Sequence, residues 1–164
     1  MTRKMAQTAL LTALSVGFLA LGSVIPTATL GIAALAGLCT GVCVLLSGKR
    51  QAALLWLAAS ILALLLLPDK TLALVFALFF GPYPLIKALA ERQKPVWEWA
   101  IKIILFLAAF GACVWILARF FTLPKLPISY PALAVVGVAV FILYDFGLSK
   151  LFFYLERRLS KFFG

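Results

Sequence analysis

The chain has 164 residues, 65% of them hydrophobic and 12% charged, and its 15 Lys and Arg against 5 Asp and Glu leave a net charge of +10. A soluble domain carries about 45–50% apolar and about 25% charged residues, and one this short could not shield so much apolar surface from water. A soluble enzyme, a secreted disulfide scaffold and a disordered tail are excluded, and a mean hydropathy of +1.15 points to a small polytopic helical membrane protein.

Six apolar blocks follow along the chain, each near the roughly 20 residues that a membrane-crossing helix needs. The first runs from about Met5 to Ile25 and is stopped by Pro26. The second, Leu30 to Leu46, ends at Ser47-Gly48-Lys49-Arg50, and the third, Gln51 to Leu67, closes at Pro68-Asp69-Lys70. The fourth starts at Thr71 and runs through Gly81-Pro82-Tyr83-Pro84 to about residue 86. The fifth extends from about Trp97 to Phe121 and the sixth from Tyr130 to about Leu148. The tail, 149–164, continues an apolar face (Leu148, Leu151, Phe152, Leu155, Leu159, Phe162) opposite Lys150, Glu156, Arg157, Arg158 and Lys161. That pattern predicts an interfacial amphipathic helix on anionic lipid. The fold expected is therefore an all-α bundle of six transmembrane helices in a single integral membrane domain.

Orientation follows from the basic residues, which gather on the cytoplasmic side of a membrane. Arg3, Lys4, Lys49, Arg50, Lys87, Arg92, Lys94, Lys102, Lys150, Arg157, Arg158 and Lys161 fall on one set of faces; Lys70, Arg119 and Lys125 fall on the other. Both termini are thereby expected in the cytoplasm. Topology accounts for the whole basic excess, so no patch is left over for nucleic acid. Pro26, at the −3 position of the nearest cleavage at Ala28, favours a retained first helix over a signal peptide.

Few residues could do chemistry. There is no histidine, and Asp69, Glu91, Glu98 and Glu156 sit at or outside the expected interfaces. Asp145 is the one membrane-level acid, a functional candidate by position, with Lys102 or Lys87 at similar depth as its expected partner. Cys39 and Cys43, spaced i,i+4 with no His or acidic neighbour, and Cys113 read as buried structural thiols rather than metal ligands. An enzyme is not expected.

Small residues are the clearer signal. Ala9, Ala13 and Gly17 recur every fourth position of the first block, with Ala6 and Ala20 beside them, and the second block repeats the device at Ala33, Gly37 and Gly41. In lipid, helices associate through close backbone approach, which such spacing permits. Packing inside the bundle is the default for either stripe, and reception of a partner helix the sharper alternative. The prolines of Gly81-Pro82-Tyr83-Pro84 remove two backbone donors, so the fourth helix must break or kink there. The count from Thr71 favours a break at the cytoplasmic interface, as a helix end with Lys87 beyond it; a deeper break would line a cavity or hinge.

Six short spans with both termini inside, the Thr2-Arg3-Lys4 start and the Ala9-Leu10-Leu11-Thr12-Ala13 stripe resemble the substrate-binding (S) components of energy-coupling-factor transporters. The resemblance implies a membrane protein that captures a small ligand, such as a vitamin, from the outer side. It would then dock through Ala9 and Ala13, with Gly17 on the same stripe, on a transmembrane coupling protein driven by two cytoplasmic ATPases. The chain itself would hold no cofactor, ATP being hydrolysed by the partners. The ligand is then expected in the outer half, near Thr27, Thr29, Asp69, Arg119 and Tyr130, with Arg119 pairing an anionic group. The alternative is a scaffold or assembly factor that binds partner helices through its small-residue stripes and takes no ligand.

Overall fold

A computed structural model describes residues 2–25, 29–90, 95–120, 135, 138–139, 141–150 and 152–154. All secondary structure among them is helical. The elements are α1 (Thr2–Val24), α2 (Thr29–Ser47), α3 (Lys49–Leu66), α4 (Lys70–Val75), a π-helical turn (Phe76–Phe80), α5 (Tyr83–Ala90) and α6 (Pro95–Phe120). Arg3–Val24, Thr29–Ser47, Lys49–Leu66 and Lys70–Leu89 are long and apolar enough to cross a membrane, whereas the apolar helical stretch Lys102–Ile116 is shorter. The chain divides into two compact units, Met1–Leu123 and Pro124–Gly164. In the second, residues 141–150 and 152–154 are helical, with Phe141, Asp145 and Leu148 buried at one-turn spacing.

The first unit is built on α1, α2 and α3. Their buried positions are mostly small: Ala33, Ala36, Cys43, Ala52, Ala59 and Ala63 are fully enclosed, with Leu19 and Leu55 filling the space between. Alanine on facing helices lets the backbones approach, which maximises dispersion contact where lipid supplies no hydrophobic drive. Of the buried hydroxyls in this core, those of Thr40, Ser47 and Ser60 have no hydrogen-bond partner, whereas Ser15 and Thr8 are bonded. Ser15 donates to the Ala36 carbonyl at 3.1 Å, tying α1 to α2. Thr8 donates to the Lys4 carbonyl at 2.8 Å, and its hydroxyl lies 3.7 Å from Cys43 Sγ.

The helix ends show how the sequence sets the turns. The expected four-residue connection Ser47-Gly48-Lys49-Arg50 shortens to Gly48 alone, because α2 and α3 run up to it from both sides. Gly48 has φ 94° and ψ 169°, a backbone region open essentially to glycine. Its N–H reaches back to the Cys43 and Val44 carbonyls at 3.1 and 3.2 Å, closing α2. At the other end of α3, Lys70 Nζ donates to the Leu64 and Leu67 carbonyls at 2.7 and 2.8 Å. Asp69 then caps α4, accepting from the Thr71 and Leu72 N–H groups. A carboxylate is favoured there because the first N–H groups of a helix lack intrahelical partners.

The fourth span differs from its expected form. The Gly81-Pro82-Tyr83-Pro84 break does not end the helix: helical structure resumes at Tyr83 and continues to Ala90. Lys87, expected beyond that end, is fully buried on α5. The irregular turn therefore falls inside the apolar segment Lys70–Leu89, with helix on either side.

Candidate functional site

Two features of the first unit carry functional information: the outward face of α1 and the break in the fourth span. On α1, Thr8, Ser15 and Leu19 are buried, whereas Ala6, Ala9, Ala13, Gly17 and Ala20 are all exposed. At 100° per residue the five small residues occupy a wedge of about 80° on the side away from the core. A Cβ built on Gly17 would meet nothing within 4 Å. The stripe on α2 behaves oppositely. Ala33, Gly37 and Gly41 are buried, and a Cβ on Gly37 would stand 2.6 Å from the Phe80 carbonyl oxygen. Packing within the chain uses the α2 stripe and leaves the α1 stripe outside.

On α1 the large Leu10, Leu14 and Leu21 are exposed beside this wedge, whereas α3 exposes no comparable run of small residues. Leu54, Leu57, Ile61, Leu65 and Leu66 are exposed there, large side chains of the kind that solvate well in hydrocarbon. Small residues facing lipid forfeit that dispersion contact, and regain it only against a closely packed helix.

The break is held from two sides. In the π turn the Gly81 N–H bonds the Phe76 carbonyl at 2.8 Å, five residues back rather than four. The Ala77 carbonyl would next look to residue 82, a proline without an N–H. Trp56 on α3 supplies the missing donor, its Nε1 lying 2.9 Å from the Ala77 oxygen. The indole lies where a Cβ on Gly81 would be, so only glycine admits it. On the other side Gly37 brings α2 against the Phe80 carbonyl, whose α-helical partner would be Pro84. α6 packs on the same segment through aromatic edges: Phe79 and Phe106 meet at 5.3 Å between centroids, and Phe79 also contacts Tyr83 at 5.7 Å. Trp56 escaped the sequence reading because its partner is a backbone carbonyl on another helix, which leaves no residue pattern.

The candidate ligand residues are not assembled by what is described. Thr27 and Tyr130 lie outside the described residues. Thr29 begins α2 and donates to the Ile25 carbonyl at 3.4 Å; Asp69 is engaged as the α4 cap; Arg119 is exposed in the last turn of α6. Asp145 is buried in the second unit, where Ser149 donates to its backbone carbonyl at 2.9 Å. Lys87 and Lys102 are buried in the first unit, on α5 and α6. Cys39 and Cys43 are buried thiols and Cys113 is half-buried, none of them in a disulfide. Among the described residues no group of three His, Cys, Asp or Glu stands close enough to hold a metal. Expectations for the amphipathic tail beyond residue 154 fall outside the described part. No family model, no curated protein and no solved structure matches this chain.

Proposed function

We propose that the chain is a membrane-embedded docking subunit, a small helical bundle that joins a larger membrane assembly through the outward face of α1. The exposure of Ala6, Ala9, Ala13, Gly17 and Ala20 as one wedge, on a helix that turns Thr8, Ser15 and Leu19 inward and exposes Leu10, Leu14 and Leu21 beside the wedge, carries this reading. Close packing of a partner helix on that wedge gains dispersion contact that lipid does not give to alanine and glycine. In the specific form suggested by the resemblance to S components, the partner is a coupling protein with two ATPases. The subunit then captures a small ligand at the outer end, in a multi-pass plasma-membrane setting with its termini inside. In the scaffold form the same face receives another membrane protein and no ligand is involved.

Affinity purification of the tagged chain from its host in gentle detergent, followed by mass spectrometry, tests the proposal and separates the two forms. Ala13→Trp is expected to strip the partner, and Leu14→Trp, equal bulk about 100° around the helix, to retain it. Recovery of a coupling protein with two ATPases supports the transporter form; a partner without ATPases supports the scaffold. Equal recovery with both variants removes the docking reading.

A further inference from the structure

The spacing of the two prolines gives the fourth span two nearly equivalent backbone registers. Counted in the π register, each carbonyl looks five residues ahead, so Ala77 faces Pro82 and Phe79 faces Pro84. Counted in the α register, each looks four ahead, so Leu78 faces Pro82 and Phe80 faces Pro84. In either register two of the donors next in line belong to prolines, which have no N–H, so neither register has an unbroken backbone ladder. Backbone bonding alone therefore decides little. The structure adds a deciding contact: the Trp56 indole donates to the Ala77 carbonyl, whose next donor in the π register would be Pro82.

We propose that this turn is a register switch, in which Ala77 is one acceptor with two competing donors. In the bulged state the Ala77 carbonyl takes the Trp56 indole while the Gly81 N–H bonds Phe76. In the alternative state Gly81 turns its N–H to Ala77, Phe80 donates to Phe76, and the indole is released. Converting one state to the other shifts the register by one residue, which rotates α5 by about 100° relative to α4 and moves it by about 1.5 Å along the axis. α5 carries Tyr83 and Lys87, both buried in the bulged state, so the switch changes which neighbours a buried cation meets. Gly81 fits the role twice, admitting the indole over its Cα and offering the N–H that replaces it. Packed interiors convert small local changes into discrete alternatives of this kind, and π turns inside helices are frequent at such places.

Nitroxide scanning in lipid vesicles reads the register directly. Spin labels placed singly at residues 71–75 and at 85, 86, 88 and 89, in a cysteine-free background, report oxygen accessibility along both halves of the span. In the parent chain the downstream half should peak at Leu89, the exposed position of that segment. Trp56→Phe removes the donor that favours the bulge and is expected to shift the phase of the downstream half against the upstream half by about 100°, moving the peak to residue 88. Pro82→Ala keeps Trp56; its new N–H is surplus in the π register, where the indole already holds Ala77, and serves Leu78 only in the α register, so it is expected to shift the phase in the same direction. If Trp56→Phe loses helicity, Pro82→Ala decides alone. An unchanged relative phase in a folded Pro82→Ala chain overturns the switch and leaves the π turn a fixed feature.

Discussion

At the scale of single residues, two glycines of this chain stand under different constraints and a third under none, and substitution separates them. Gly48 is held at a positive φ that side chains resist, so Gly48→Ala is expected to cost about 1–3 kcal/mol, the usual cost of strained backbone. Gly37 has ordinary helical backbone but no room, because the Phe80 carbonyl occupies the space of its Cβ. Gly37→Ala is expected to cost about 1–3 kcal/mol by overpacking. Gly111 has neither constraint, since nothing lies within 4 Å of a Cβ there. Gly111→Ala should stabilise by about 0.5–1 kcal/mol, the ordinary helix-propensity gain. Denaturation of the three purified variants in one detergent checks all three signs; a loss at Gly111 equal to that at Gly48 would contradict this division. The sequence marks Gly37 and Gly48 as small or as punctuation, but not which constraint applies, because that depends on a carbonyl brought near by another helix.

At the scale of elements, the apolar blocks are legible because each is bounded by proline, glycine or charge, the residues that stop a helix in any context. Pro26, Ser47-Gly48 and Pro68-Asp69 all fall at or within a residue or two of observed helix ends. Gly81-Pro82 is the exception, since an interrupted helix can resume when neighbours satisfy the carbonyls freed by proline. Trp56 does so here, and a single chain read by itself gives no sign of it. The direction of the α1 stripe is equally hidden. Alanine and glycine suit a bundle core and a partner's surface alike, and only the inward placement of Thr8, Ser15 and Leu19 shows which face is left over. Of the candidate ligand residues, Asp69 illustrates why a polar residue in an outer connection is weak evidence for a site: a helix start uses the same carboxylate.

At the scale of the whole molecule, composition establishes the class more firmly than any motif does. The all-helical structure and the four long apolar segments are what so high an apolar content requires. The distribution of basic residues makes a further prediction. A fluorescent protein fused after Gly164 should fold and fluoresce in the cytoplasm, and alkaline phosphatase at the same place should be inactive; the reverse pair of results would invert the orientation. The proposed docking rests on the α1 face, and cross-linking along that helix examines it most directly. A photoreactive residue placed singly at 6, 9, 13, 17 and 20, and for comparison at 14 and 21, about 40–60° beyond the edge of the wedge, is illuminated in native membranes. Adducts to one common protein from the first set, weak or absent from the second, are the predicted result. Lipid adducts alone, or equal yield from every position, would contradict docking through this face.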